Sequence, residues 1–493
     1  MKSKLAPAIR PSILGSKEPR GLAPSSLRTG TSPARFRWMF PDLAQNPACT
    51  LPVQTNGDLF PAVVDDLIHL AAGMRDEGAA GDSGVPAGFT YLGQFIDHDL
   101  TLDRSSISSQ LVDPTALLNF RTPRFDLDSL YGAGPAEDSF LYVQFPPADR
   151  PWLRGVAMLL SEGGFNLPRN SEGIAIIPES RNDENLIIGQ LHTAFIRFHN
   201  AVVDILHTAD PSLAGEQLFL AARQTVVRHY QWIVRHEFLP TVLRGEVVTQ
   251  VFDNNYNPIY EPTPDDVWLP VEFSAAAYRF GHSLVRDDYP VINTNQPGND
   301  ATLGQLFDFT GLGGSGGSLG SRWQVDWHHF FAFPGSNAAV NFARAFDTQV
   351  AIGLHDIDPG QSGHPLLLPS LTLRRSYSYR VAAGQCVAAH LGYAPLTQDE
   401  LLTNHPANGT LRQRPYLLDE TPLWYYLLKE AEIREAGARL GEVGSRIVAE
   451  VFAGLLRADP TSILNLPNVW TPSLPSATVG QFNMTDLLTL AFP

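Results

Sequence analysis

Gly93-Gln94-Phe95-Ile96-Asp97-His98-Asp99-Leu100-Thr101 is the stretch around which the rest of the chain is organised. In a helix successive residues turn by about 100°. Asp97, His98 and Asp99 therefore fan over a little more than half the circumference and cannot share one face. Gln94, one turn before His98, sits on the side of the imidazole. Among Phe95, Ile96 and Leu100, ionised groups are costly unless each finds a partner or a cation. The stretch thus predicts three partners in three directions, supplied by distant parts of the chain.

The composition leaves room for them. A chain of 493 residues with 44% apolar content can bury a large core, as one big domain or as two or three. A formal charge of −16 and a pI near 5.3 argue against nucleic acid or an anionic membrane as partner. Two cysteines, Cys49 and Cys386, exclude a disulfide framework and a cysteine-based zinc site. One disulfide between them is possible; two reduced thiols are the simpler expectation. No apolar run reaches the length of a membrane span. The basic N-terminus has no apolar segment behind it, so the sequence carries no secretory signal, and a cytoplasmic protein is the default.

Residues 1–35, rich in Pro, Gly, Ser and Arg, read as an extended arm. The body is expected over 36–465, with 466–493 as a tail packed on or near it. Helical spacing predicts helices over 61–74, from Ser180 onward, and over 214–238, 273–285, 337–352, 381–392, 419–436 and 441–458. The Ser180 helix has Ile187, Leu191, Ala194, Phe198 and Val202 as its apolar stripe, with Asn182 as its N-cap. Strand signals are few and short. The expected architecture is mainly α, one large helical domain with long loops. Gly311-Leu312-Gly313-Gly314-Ser315-Gly316 matches a dinucleotide fingerprint formally, but no strand precedes it and no helix follows, so it reads as a surface loop.

Most of the 14 histidines read as packed or surface imidazoles. His192 and His199 share one helix, His229 and His236 another, and His328-His329 lie in an aromatic run. Two histidines sit in surroundings that ask for chemistry. One is His98. The other is His282, in Ala277-Tyr278-Arg279-Phe280-Gly281-His282, where Gly281 lets a flat ligand approach and an imidazole can bind a metal through one nitrogen while a polar oxygen holds the other. Arg181 and Glu184, at i and i+3, can meet one ligand from one side, or form an ordinary ion pair. Thr122, Arg124, Asp126 and Asp128 occupy alternate positions, so in an extended loop their side-chain or backbone oxygens can converge on one ligand.

Taken in order, Gly93–Leu100, Thr122–Gly132, Arg181–Asn200, Tyr278–Leu284 and Gly441–Glu450 resemble the animal-type haem peroxidases of the peroxidase–cyclooxygenase superfamily, the group that includes myeloperoxidase. The likeness runs over roughly residues 86–465 in motif order, and the length and leaderless start look like its bacterial branch. The resemblance implies haem b and calcium as cofactors, hydrogen peroxide as oxidant, and a small phenolic donor or a halide as reductant. It implies His98 as distal base, Arg181 as distal cation, Gln94 on the distal water or halide, and His282 as proximal iron ligand. Asp97 and Glu184 match carboxylates that can form esters with haem methyl groups, and Asn185 stands where some relatives carry a third, methionine link, which should be absent. Asp99, Thr122, the Arg124 carbonyl, Asp126 and Asp128 match the calcium ligands, an all-oxygen set suited to that ion. Thr372 stands where relatives place an Asn on the proximal histidine. Val325 aligns with the tyrosine that cyclooxygenases oxidise to a radical, which argues against a fatty-acid dioxygenase. The other readings are a His-Asp metal hydrolase, in which Arg181 and His282 lack roles, and a calcium-stabilised module without activity.

Overall fold

The computed structural model describes residues 33–78, 81–105, 108–293, 300–308, 310, 319–355, 368–405 and 409–493. Most of the arm expected over 1–35, and the glycine run 311–316, lie outside them.

The fold is the mainly helical one expected. Its principal helices are α1 (Pro61–Ala72), α2 (Gly88–Leu100), α3 (Leu186–Ala209), α4 (Gly215–Ile233), α5 (Leu368–Ser378), α6 (Gly384–His390), α7 (Leu423–Arg434), α8 (Glu442–Ala458) and α9 (Met484–Ala491). The strands are short: β1 (Ala34–Arg37), β2 (Asp82–Pro86), β3 (Leu118–Asn119), β4 (Trp268–Pro270), β5 (Asp288–Tyr289), β6 (Ala301–Thr302) and β7 (Phe342–Arg344). β1 lies between β3, antiparallel, and β4, parallel, so the end of the expected arm is built into a sheet.

The long helix α3 is central. Ile187, Leu191, Ala194, Phe198 and Val202, its apolar stripe, are all wholly buried, against α2, α4 and α9. Phe95 of α2 stacks on Phe195 of α3 with ring centres 4.5 Å apart. Gly88 opens α2 because nothing larger fits: a Cβ there would meet the Phe330 carbonyl oxygen at 2.5 Å. Beyond α4 the chain continues as a π-helical turn, Val234–Phe238. Three of the discounted histidines are packing residues. His199 donates Nε2–H to the Val156 carbonyl and accepts from Tyr131, each at 3.0 Å. His229 bonds the Thr225 carbonyl at 2.7 Å through Nδ1 and accepts the backbone N–H of Ser473 at 3.2 Å through Nε2. His236 stacks on Trp232. Helix α9 is fastened to this layer by Arg197, whose Nε donates to the Ala491 carbonyl at 2.6 Å.

Four expectations need correction. The helix predicted over 337–352 is absent: Phe342–Arg344 pairs antiparallel with Asp82–Pro86, because a partner strand far away in sequence satisfies the backbone that the local pattern would have satisfied as helix. The helix predicted over 273–285 is broken into Val271–Ser274 and a 3-10 turn, Ala277–His282. At the break Ala276 has φ −135° and ψ −74°, outside helical geometry. Asn182 is not a helix cap. It lies in a 3-10 turn, Ser180–Asp183, and Asn185 caps α3 by accepting the Ile188 N–H. Finally, Cys49 and Cys386 are joined as a disulfide across 337 residues. The two thiols are not free because folding brings the segment after β1 against α6.

Candidate active site

A cavity opens between α2, the residues leading into α3, and the 3-10 turn that ends at His282. Gln94, Asp97 and His98 line it from α2, and Arg181, Glu184 and Asn185 from the approach to α3. Arg279, Gly281 and His282 line it from the third side. The structure thus brings both singled-out histidines, and the Arg181–Glu184 pair, into one space.

Each histidine has one ring nitrogen engaged by the protein. His98 Nδ1 lies 2.8 Å from Asn182 Oδ1. His282 Nδ1 lies 3.4 Å from Thr372 Oγ1, whose own proton goes to the Leu368 carbonyl at 3.2 Å. The Thr372 oxygen is therefore left to accept from His282. In both rings this puts the proton of the neutral imidazole on Nδ1 and the lone pair of Nε2 on the cavity side. Burial, then the Arg181 charge, holds His98 down to about 4, and burial, then Arg279, holds His282 down to about 3. Both are neutral at pH 7.

Arg181 is held rigidly. Its Nε and Nη2 bond the Glu179 carboxylate, and Nη2 also reaches the carbonyls of His98 at 3.2 Å and Thr101 at 2.5 Å. Nη1 is the nitrogen without a protein acceptor among the described residues. Glu179 in turn accepts Arg121 Nε at 2.7 Å. Burial alone would raise its carboxyl, but Arg121 and then Arg181 hold it far below the usual carboxylate range. Asp97 faces Arg279 at 3.5 Å; burial raises its carboxyl, and Arg279 and Arg181 more than offset this, leaving it lowered. Gln94 Oε1 accepts the Asn185 amide at 3.2 Å.

On the far face of α2, Asp99, Asp126 and Asp128 offer oxygens that all lie within 4.8 Å of one another. Asp99 is wholly buried and accepts Ser129 Oγ at 2.8 Å and the Leu127 N–H at 3.2 Å. Leu127 takes a left-handed φ of 57° to present that N–H. Burial, then Asp128, pushes the Asp99 carboxyl up and Asp126 up to about 7. Such a cluster suits a divalent cation that neutralises it. Thr122 and Arg124 share the loop. The Arg124 guanidinium bonds the Pro264 carbonyl at 3.1 Å.

Residues 102–309 match the animal haem peroxidase family model. The chain is 23% identical to heme peroxidase 2 of Caenorhabditis elegans over 357 residues, 68% of this chain and 47% of that protein. It is 33% identical to a peroxidase-like protein of Margaritifera margaritifera over 174 residues, 34% of this chain and 19% of that one. Peroxidase A of Dictyostelium discoideum superposes with a TM-score of 0.61 at 17% identity, over 89% of this chain and 90% of its own. Residues 102–309 are thus an animal haem peroxidase domain, and the fold of peroxidase A extends over most of the chain. A fatty acid alpha-dioxygenase of Arabidopsis thaliana shares the fold, with a TM-score of 0.58 at 17% identity over 88% of this chain and 73% of that one. The chain spans less than half the length of these two curated relatives.

Haem, the group that the name of the matching family model implies, fits the cavity's lining. Two neutral imidazoles face it with free Nε2 atoms, Phe89, Phe280 and Phe307 supply apolar walls, and a Cβ built on Gly281 would meet nothing within 4 Å. Val325, by contrast, lies outside the cavity, its N–H bonded to Gln190 Oε1 at 2.8 Å. The tyrosines that line the cavity are Tyr91, Tyr278 and Tyr379, so the residue at 325 carries no weight against a dioxygenase. Sequence reasoning missed Glu179, Arg121 and the Asn182–His192 contact. Glu179 was the most accessible of these: it stands directly before the Ser180–Asp183 turn, where a carboxylate can cap, and it accepts the Arg181 N–H at 3.0 Å.

Proposed function

We propose that the chain is a haem peroxidase that reduces hydrogen peroxide at the expense of small phenolic donors or halides. The observation that carries this is the pair His98 and His282, from distant elements, each with Nδ1 satisfied by a protein oxygen and Nε2 turned to one cavity. Haem bound there would supply the iron at which the peroxide O–O bond breaks. His282 Nε2 would hold that iron. Thr372, accepting the Nδ1 proton, would make the ligand a stronger donor. His98, neutral at pH 7, would take a proton from peroxide and return it to the departing oxygen, work typically worth about 10²–10⁴-fold in rate. Arg181 would place a fixed positive charge beside the separating oxygens. The Gln94 amide nitrogen, its oxygen being occupied by Asn185, is left to hold water or a halide.

In this reading Asp97 and Glu184 are the candidates for ester bonds to haem methyls, and Asn185 makes no third link. Asp99, Thr122, the Arg124 carbonyl, Asp126 and Asp128 bind calcium, which ties the helix carrying His98 to the loop beneath it. A second reading, fatty-acid dioxygenase, is favoured by Tyr278, which lines the cavity four residues before His282 and donates to the Gly93 carbonyl at 3.3 Å. The hydrolase reading loses ground. Among the described residues the one cluster of three or more metal-ligating side chains holds no histidine.

The test is the haem-to-protein ratio after reconstitution, followed by turnover. A protein that oxidises phenols or halides only with peroxide is a peroxidase. Oxygen uptake with a fatty acid, abolished by Tyr278→Phe, would replace that reading by the dioxygenase. A protein that takes up no haem would remove both.

A further inference from the structure

We propose that Asn182 is a positioning residue for the distal base: its side-chain amide, set between His98 and His192, fixes His98 in the tautomer that presents a bare Nε2 to the cavity. The proposal rests on the peroxidase reading for its consequence, but the geometry stands apart from it. Asn182 and His192 are wholly buried, and His98 is nearly so. Asn182 Oδ1 is 2.8 Å from His98 Nδ1, and Asn182 Nδ2 is 2.9 Å from His192 Nδ1.

The proton inventory follows from what each atom can do. An amide oxygen only accepts, so His98 Nδ1 must donate. A neutral imidazole has one N–H, so His98 Nε2 is a lone pair. On the other side the amide nitrogen only donates, so His192 Nδ1 accepts and the proton of that ring sits on Nε2. Turning the amide over would reverse the first contact. His98 would then carry its proton on Nε2 and offer the cavity a donor where the chemistry needs a base. The two orientations of one amide are thus two states of the distal site, one able to accept a proton from a ligand and one not.

The backbone gives the device its stiffness. Asn182 sits in the 3-10 turn Ser180–Asp183, and its N–H bonds the Glu179 carbonyl at 3.0 Å. Consecutive residues hold the same histidine at two points. Arg181 grips the His98 carbonyl, and Asn182 grips its ring. Asn182 is not among the residues that line the cavity, so it would act through His98.

Two measurements test this. In the 15N-histidine-labelled apo-protein, the His98 resonances, identified by their loss in His98→Ala, should report Nδ1 as the protonated nitrogen. Asn182→Ala should show a tautomer mixture, and Asn182→Asp, which keeps an oxygen acceptor, should keep the wild-type form. A wild-type His98 protonated on Nε2 would overturn the proposal even if no variant folds. In the haem-loaded protein, Asn182→Ala should slow association of both peroxide and cyanide, each of which gives up a proton on binding, by about 10-fold or more. Haem content should be unchanged, and Asn182→Asp should stay within about threefold of wild type. Wild-type rates in a haem-loaded Asn182→Ala would overturn the proposal and leave the peroxidase reading intact. Failure to bind haem would count against that reading instead, because the apo-protein measurement needs none.

Discussion

Glu179 and Arg181 meet in a two-point ion pair, with Arg181 Nε 3.0 Å from Oε1 and Nη2 2.9 Å from Oε2. The same Oε2 also takes the wholly buried Arg121, at 2.6 Å from its Nη2. Three charges are thereby locked at the cavity wall, where Arg181 is a lining residue, and the guanidinium plane is fixed with one nitrogen unspent. A lysine at 181 keeps the charge but cannot make the fork. Arg181→Lys should bind haem at near wild-type stoichiometry and react with peroxide about 10²-fold more slowly. Stopped-flow mixing with peroxide measures this, and an unaltered rate would reduce Arg181 to an ion-pair partner of Glu179.

The same relationship makes a stability prediction. Glu179→Gln leaves two buried guanidinium groups facing each other without their shared anion. Breaking a buried pair in this way typically costs about 3–5 kcal/mol. Chemical denaturation of the apo-protein should register a loss of that order. A loss within error of zero would mean water replaces the carboxylate without cost.

The sequence pattern reached some of these groups and missed others for physical reasons. The fan of Asp97, His98 and Asp99 was legible because helix rotation alone decides it, and the stripe of α3 for the same cause. Thr372 was reached through a motif, and its contact with His282 Nδ1 is the one expected of it. Asn182 was read as a cap because its residue type and place before a helix fit that role, and only the tertiary approach of His98 and His192 claims its amide. The pairing of Asp82–Pro86 with Phe342–Arg344, and of Cys49 with Cys386, joins segments with no local signal for each other.

Calcium should be structural in this protein. Asp126 is not among the residues that line the cavity, yet it shares a cluster with Asp99, the neighbour of His98. Asp126→Ala, or chelation of the wild type, should lower the melting temperature and shift the haem spectrum together. A chelator that changes neither would remove the calcium assignment.

Glu430 of α7, which does not line the cavity, predicts a pH dependence. Its carboxylate accepts the N–H groups of Val443 at 3.1 Å and Gly444 at 3.3 Å, at the start of α8. Burial pushes its carboxyl up from 4.5 to about 7. The folded state therefore holds this proton more tightly than the unfolded chain. The contribution is fully present below pH 4.5 and is lost as pH rises to about 7, a change of up to ~3 kcal/mol. The fall in melting temperature between about pH 5 and about pH 8 should be smaller in Glu430→Gln than in wild type. Parallel curves would mean the group is ionised throughout.

The two cavity histidines must fail differently if the assignment of faces is right. His98 hangs from α2 and is tied to Asn182, so its loss leaves the opposite wall intact. His98→Ala should keep haem at full stoichiometry and react with peroxide slower by about 10²-fold or more. His282 ends the 3-10 turn, its ring edge against Trp424 with centres 5.9 Å apart and its Nδ1 on Thr372. His282→Ala removes the nitrogen proposed to hold the iron, so haem should be lost or its ferric spectrum altered, and added imidazole should restore part of the original spectrum. Thr372→Ala should fall between them, holding haem but shifting its reduction potential, because the Nδ1 proton loses its acceptor. Visible spectra, haem stoichiometry and redox titration separate the three. If His282→Ala keeps an unchanged spectrum while His98→Ala cannot hold haem, the iron sits on the α2 side, and the proximal and distal faces are exchanged.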